Sequence, residues 1–425
     1  MSDSLPLNVG FGIQDFTPKK SPDGAFEVFD PISFRALILQ GGDTNVTFLA
    51  GDVFSIEDDL VRRVRKRLSD IVWLNPDHIL PCAAHIATAP ILFQSYVSTP
   101  CEALKYYGRD DYFADRMAAA VRKAAGAMAP ARIGVGACPA PDILYNRRSY
   151  DRDGKLVMSN FKFPYPRPEL TYAEIDEHVY VIRVDNEAGT PTCCAFVFGC
   201  HALCNTDKSG NISADYPGVV RKVLKTAGIE SLFLPGSIGN VVPVSRGGRT
   251  PQRVGHSVAG AALYALEQTE TSPGGGLTVR QKTIRVPAFS YPNPGEIEAG
   301  LASTPKRSDG LQRFQAYGNR LYRAGRTSLA YTITRVSING ADILHLPGEI
   351  FVETAKAIQQ AAGDRLTAVL SGPSADIGYL STPLVHQEGG MEPKYAGLAV
   401  ESESIIRAAA CELVKEDEHG ACVRI

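Results

Sequence analysis

Val179-Tyr-Val-Ile-Arg-Val184 and, a short turn later, Cys193-Cys-Ala-Phe-Val-Phe198-Gly-Cys-His201 are the stretch on which the fold turns. Both runs are short, almost wholly apolar and rich in β-branched or aromatic side chains. That composition predicts neighbouring strands buried on both faces rather than half-exposed ones. The second run stops at Gly199-Cys-His201, which leaves an imidazole just past a strand's carboxyl end. A polar loop follows, then a helical pattern around Gly218 to Thr226, then a further strand at Leu232-Phe-Leu234. Strand, helix, strand in this order predicts an α/β protein, whose binding residues gather where strand carboxyl ends meet helix N-termini.

The same alternation extends in both directions. Upstream, Phe34 to Leu39 and Val46 to Ala50 read as strands, and Ile56 to Ile71 as an amphipathic helix with Leu60, Val61, Val64 and Leu68 on its apolar face. The strand His78 to Ala84, a helix from Tyr112 to Met128 and a strand from Arg132 to Ala137 follow. Pro139 to Tyr172, rich in Pro, Tyr, Arg and Asp and without a period, is expected to be a long surface excursion. Downstream, Ser272-Pro-Gly-Gly-Gly276 is the best linker, before a strand from Leu277 to Val286 and a helix from Leu311 to Arg326. Asn339-Gly340 marks a type I′ hairpin. Its second strand, Asp342 to Leu346, runs into Pro347-Gly-Glu349 and a helix through Glu353 and Ala357. A last strand, Leu366 to Leu370, leads to the loop Ser371 to Gly378. The expectation is one α/β domain over residues 1–425, with a subdomain break at 272–276.

Composition narrows the partners. At 425 residues with 44% apolar content the chain can build a continuous core. A net charge of -2 without like-charged blocks offers no footprint for nucleic acid or an anionic membrane. A small-molecule substrate is the expected partner, and homo-oligomers are compatible with this composition. The first residues carry no basic segment followed by an apolar one, and no apolar run reaches the ~20 residues of a membrane span. Nine irregularly spaced cysteines, several in apolar strands, fit reduced thiols, and the expected location is the cytoplasm.

Four polar residues fall just beyond strand ends: His85, His201, Glu349 and Tyr379. Imidazole, carboxylate and phenolate are all acceptable ligands for Zn²⁺. Spacing alone does not separate a metal site from histidines satisfied within the fold, because none of the four belongs to a short ligand motif. Asp215 is either an N-cap or an acceptor behind a ligand histidine, and Asp376 is an alternative metal oxygen. Cys200 and Cys204 flank His201 but lack a second cysteine pair, so they read as packing. Ser237, in Pro235-Gly-Ser-Ile-Gly239, has only one glycine of a nucleophile elbow and reads as a loop serine. Glu353 reads as part of its helix's first turn.

Several segments together resemble the catalytic domain of the neutral, non-lysosomal ceramidases and their smaller bacterial relatives. Asn8-Val-Gly-Phe-Gly-Ile-Gln-Asp-Phe-Thr-Pro18 looks like that family's opening strand, and Phe48-Leu-Ala-Gly-Asp52 like its "FVSAD" strand. His78 to Pro90 resembles "VLISATHTHSGPG", Ala195 to Ala202 the strand with the second metal histidine, and Ile212 to Gly218 "ISADYPG". Leu346-Pro-Gly-Glu-Ile-Phe-Val-Glu353 is similar to "LPGE-F-E", and Gly378-Tyr-Leu-Ser-Thr382 to "YVTT". The resemblance implies an α/β fold of mixed sheets flanked by helices, without the C-terminal immunoglobulin-like domain. It places the ligands of one Zn²⁺ per chain on His85, His201, Glu349 and Tyr379, and makes His85, His201 and Tyr379 the catalytic residues.

It further implies that Arg147 and Arg148, in an "NRS"-like element at the site mouth, and Asn240 contact the substrate. The departures limit it. Ala87 replaces the second histidine of "THTHSG", Val242 replaces the serine of "GDVSP", and Met391 replaces a tyrosine in Glu388-Gly-Gly-Met-Glu392. Long-chain ceramide is therefore not the expected substrate. The expectation is a zinc-dependent hydrolase acting on an amide or ester-type bond of a small polar substrate through a metal-activated water. A metal-dependent lactonase or lyase and a non-catalytic ligand-binding relative are the alternatives.

Overall fold

The computed structural model describes residues 6–18, 27–86, 88, 111–158, 166–205, 212–274, 276–291, 294–295, 314–315, 318–319, 322–374 and 376–416. Ala87 and most of the helix expected at 311–326 lie outside them.

The apolar runs form the strands their composition demands. Leu7–Asp15 (β1), Ser33–Gly41 (β2), Thr44–Gly51 (β3), Ile79–Ala83 (β4), Ala129–Pro139 (β5), His178–Asn186 (β10), Pro191–Phe198 (β11) and Glu230–Pro235 (β12) make one sheet, in the order β12-β11-β10-β5-β1-β2-β3-β4. Neighbours are antiparallel except at the two edges, where β3 with β4 and β11 with β12 run parallel. A second sheet has the order β14-β15-β16-β18, from Thr278–Pro287, Ser328–Ile338, Ala341–Pro347 and Thr367–Gly372. Its β15–β16 hairpin turns at Asn339 and Gly340, whose φ angles of +50° and +83° are those a type I′ turn needs. The remaining strands are short: Leu144–Asn146 (β6) pairs with Val241–Pro243 (β13), Glu349–Ile350 (β17) with Tyr379–Leu380 (β19), and Arg148–Tyr150 (β7) with Leu156–Met158 (β8) and Thr171–Tyr172 (β9).

The helices are Asp58–Arg67 (α1), Tyr112–Gly126 (α2), Asp215–Thr226 (α3), Thr250–Gln268 (α4), Val352–Ala361 (α5), Pro383–Glu388 (α6) and Ser402–Lys415 (α7). Helices α1 to α4 cover the outer face of the large sheet, burying Leu60, Val64, Met117, Val121, Val220 and Val258 against it. Helices α5 and α7 cover the outer face of the small sheet. Between the sheets lies a core of side chains from both, among them Leu39, Phe48, Leu80, Ile182, Leu234, Val336, Ile343 and Leu370. Among the described residues no helix is long and apolar enough to cross a membrane.

Pairing between β1 and β5 covers only Asn8–Val9 against Ala129–Pro130. The sheet curls about that narrow seam until its edge strands β4 and β12 touch, with β18 against both. Curling explains how residues after opposite edges can share one site. It also accounts for the main departure from expectation. Residues 143–149, placed by sequence on a surface excursion, are buried, because β6 packs on β13 directly behind His201.

Candidate metal centre

Each histidine is set by backbone. His85 follows β4 with φ +55°, a left-handed conformation uncommon for a side chain of this size. The residues on either side hold it there: Ala84 N donates to Gly51 O at 2.9 Å and Ile86 N to Val53 O at 3.4 Å. Strain kept by so many contacts is a common mark of a functional position. Its ring packs on Phe54 at 4.1 Å between centroids, and its Nδ1 lies 2.8 Å from Phe54 O. His201, past the end of β11, uses the carbonyl of Val241 twice: its backbone N donates there at 3.0 Å, and its Nδ1 also lies 3.0 Å away. Carbonyls only accept, so Nδ1 carries a proton in both rings, and in the neutral ring the lone pair falls on Nε2.

Both Nε2 atoms face Glu349. Glu349 Oε2 lies 3.0 Å from His201 Nε2 and 3.3 Å from His85 Nε2. It enters through the turn Pro347-Gly348-Glu349, where Gly348 adopts φ +103° with its N bonded to Gly372 O. All three side chains are buried, at 3%, 1% and 6% exposure, and their ligand atoms lie within 4.8 Å of one another. Burial pushes the His201 imidazole down to about 4, despite Glu349 beside it. Glu349 is held below the ordinary carboxylate range: its burial works the other way, but His85, His201 and Arg147 outweigh it. Near neutral pH the His201 imidazole is therefore neutral beside an anionic carboxylate, and His85 Nε2 faces the same oxygen. Such a cluster of acceptors is repulsive unless a cation completes it. Tetrahedral zinc, with bonds of about 2.0–2.1 Å, sets its ligand atoms roughly 3.3 Å apart. The donor set and its spacing fit that ion.

Tyr379 stands beside this group. β17 and β19 pair in parallel with Glu349 opposite Tyr379, and the Tyr379 ring is 6.4 Å from that of His201. Burial raises its phenol well above the ordinary range, with Arg147 opposing. Asp376 faces Arg326 instead, at 3.3 Å, and Glu353 accepts from Asn240 within the first turn of α5.

The residues expected to contact substrate are buried, not at a site mouth. Arg147 and Arg148 are 1% exposed and held by protein carboxylates rather than presented at a mouth. Arg147 Nε donates to Glu392 Oε1 at 2.8 Å, Arg148 Nη1 to Glu392 Oε2 at 3.1 Å and Arg148 Nη2 to Glu388 Oε2 at 2.7 Å. Arg147 also places its guanidinium 5.1 Å from the centre of the Tyr379 ring. Asn240 is fully buried, its amide donating to Glu353 and accepting from Val352 N, so both ends are committed inside the protein. The physical reason is shared: these residues lie under the site, in the β6–β13 layer. Asp215, at φ +51°, accepts from the backbone N of Cys204, Asn205 and Tyr216. It thereby fixes the loop after His201 and the start of α3. Val242, where the resembled family has serine, is buried with Tyr145 and Val244 in a small apolar cluster. Cys200 and Cys204 are buried free thiols. Of the other histidines, His78 bonds Asn45 O, His178 bonds Asp176 and His345 bonds Pro81 O.

Sequence reading missed the carbonyls of Phe54 and Val241, and the glutamates that hold the arginines. Glu388 and Glu392 were visible as the flanks of Glu388-Gly-Gly-Met-Glu392, whose charge needed a partner once buried.

No family model and no curated protein matches the chain. Solved structures do. The neutral ceramidase from Pseudomonas aeruginosa matches over 98% of this chain and 75% of that one, with TM-score 0.70 and 15% identity. A ceramidase complexed with C2 matches over 97% and 76%, with TM-score 0.71 and 15% identity. Identity this low speaks to architecture alone, and in architecture the chain has the neutral ceramidase fold that its motifs led us to expect.

Proposed function

We propose that this protein is a zinc-dependent hydrolase that cleaves an amide or ester-type bond in a small polar substrate. One observation carries the reading: two imidazole nitrogens and a carboxylate oxygen converge within 3.0 and 3.3 Å, all buried. His85, His201 and Glu349 would hold the ion, with Tyr379 as the fourth protein group beside it. Zn²⁺ in such a site lowers the pKa of a bound water to ~7 and polarises a carbonyl oxygen. The chain's own part is orientation and desolvation. The Phe54 and Val241 carbonyls keep both rings in the ligating tautomer, and burial strengthens every charge interaction in the site. Arg147, against the Tyr379 ring, favours the phenolate form of that residue. The likeness in fold to ceramidases, which cleave an amide, supports the choice of bond class. Val242 and the apolar cluster around it argue against a reaction that uses a serine at that position.

The same apolar wall favours a second reading, a lyase, since a lyase step needs no added water. Elemental analysis of the purified protein should give one zinc per chain, and none in His201→Ala. A screen of amides, lactones and esters should give turnover that His201→Ala lacks. Run in ¹⁸O-labelled water, a hydrolase puts solvent oxygen in the acid product, and a lyase does not. Full turnover and zinc in the His201→Ala protein would sink the proposal.

A further inference from the structure

Four hydroxyls among the described residues are buried without any hydrogen-bond partner: Thr47, Ser55, Ser231 and Ser381. A buried hydroxyl left unpaired is costly, so each needs a reason. Thr47 and Ser231 lie inside β3 and β12, and Ser55 lies in the loop after β3. Ser381 alone of the four follows a residue of the metal centre at strand spacing. In β19, Leu380 packs with Ile350 in the core under α5 and α7, while Tyr379 packs with Phe351 on the opposite side. Alternation along an extended chain then puts Ser381, the residue after β19, on the side of Tyr379. Ser381 is 3% exposed, and its Oγ has no hydrogen-bond partner there.

We infer that Ser381 is a substrate-contacting residue, whose unpaired hydroxyl is kept to bond a polar group of the molecule bound at the metal centre. The inference rests on the reading of that centre given above. It names the substrate class more closely: the group next to the scissile carbonyl carries a hydrogen-bonding N–H or oxygen within reach of Ser381. A site built to bond such a group discriminates strongly against analogues that lack it.

Opposite effects on stability and on binding test this, because a structural hydroxyl moves both in the same direction. The probe is acetohydroxamate, which offers metal-binding oxygens and an N–H. In Ser381→Ala the urea midpoint should equal or exceed that of the unaltered protein, zinc content should stay at one per chain, and acetohydroxamate affinity should fall about tenfold, one hydrogen bond's worth. Ser231→Ala, an unpaired hydroxyl away from the centre, should leave affinity unchanged. Ser371→Ala calibrates a bonded hydroxyl, since Ser371 accepts from Ile350 N and donates to Gly236 O. Its midpoint should drop. Unchanged acetohydroxamate affinity in Ser381→Ala overturns the inference and leaves the metal centre standing, as does a midpoint loss matching that of Ser371→Ala. An unaltered protein that binds neither zinc nor acetohydroxamate overturns the metal reading, and this inference with it.

Discussion

At Glu392 one fully buried carboxylate meets two guanidiniums, Arg147 on Oε1 and Arg148 on Oε2. Taking those charges out of water is expensive, and only their mutual geometry offsets the cost. Glu392→Gln would keep the shape and remove the charge, stranding Arg147 without its anion beside Tyr379. The expected loss is about 3–5 kcal/mol, read as a lower urea midpoint with an unchanged slope. A loss below ~1 kcal/mol would mean that solvent reaches the pair. The example also marks how far single residues could be read in advance. Nothing local in Asn146-Arg-Arg-Ser149 announces a partner 245 positions away in sequence. An arginine pair in a polar, aperiodic segment is most simply read as exposed, whereas both are buried on protein carboxylates. The three residues that converge were easier. His85, His201 and Glu349 each follow an apolar run, and strand ends are where such residues meet.

Elements were legible where their apolar pattern was complete in itself. The runs Phe34 to Leu39, Val46 to Ala50 and Cys193 to Phe198 fall inside β2, β3 and β11, and Asn339-Gly340 turns the hairpin. Helix α1 is shorter than its periodicity suggested, Asp58–Arg67 against Ile56 to Ile71, because Ile56 N is bonded by Pro373 O and Leu68 caps the end. What periodicity could not show is how elements press together. In β1, Gly10 passes so close to α2 that a Cβ there would meet Ala124 O at 2.0 Å, a backbone atom that cannot swing aside. Gly10→Ala should therefore cost about 1–3 kcal/mol through forced separation of β1 and α2. Gly126→Ala, in the last turn of the same helix with nothing within 4 Å, should be neutral or stabilising by up to ~1 kcal/mol. Thermal midpoints of the two variants should move apart. Equal shifts would show that α2 can ride outward without loss.

On the scale of the whole molecule, the centre exists because two sheets are held at a set distance, and a histidine outside the centre takes part in holding them. His345 in β16 donates from Nε2 to Pro81 O in β4 at 2.9 Å. Each of these residues stands four positions before a proposed ligand, Glu349 and His85, so the bond ties the two strands that deliver them. The α/β class was readable from sequence; the facing of one curled sheet by another was not, because no local pattern encodes which apolar faces meet. Burial, opposed only by the bond to Pro81, pushes the His345 imidazole down to about 4 from an ordinary 6.5. Its folded pKa is thus below its unfolded one, and between these values only the unfolded chain takes up the proton. The stability it contributes is present above pH 6.5 and is lost as pH falls towards 4. A gap of this size is worth about 3 kcal/mol. His345→Gln retains an N–H for Pro81 O but cannot titrate. Urea unfolding at a series of pH values from 7 to 4 should show the unaltered protein losing about 3 kcal/mol more than His345→Gln, whose curve retains only the other groups' contribution. Parallel curves would mean that His345 accepts a proton without parting the sheets, and that the two strands are joined by packing alone.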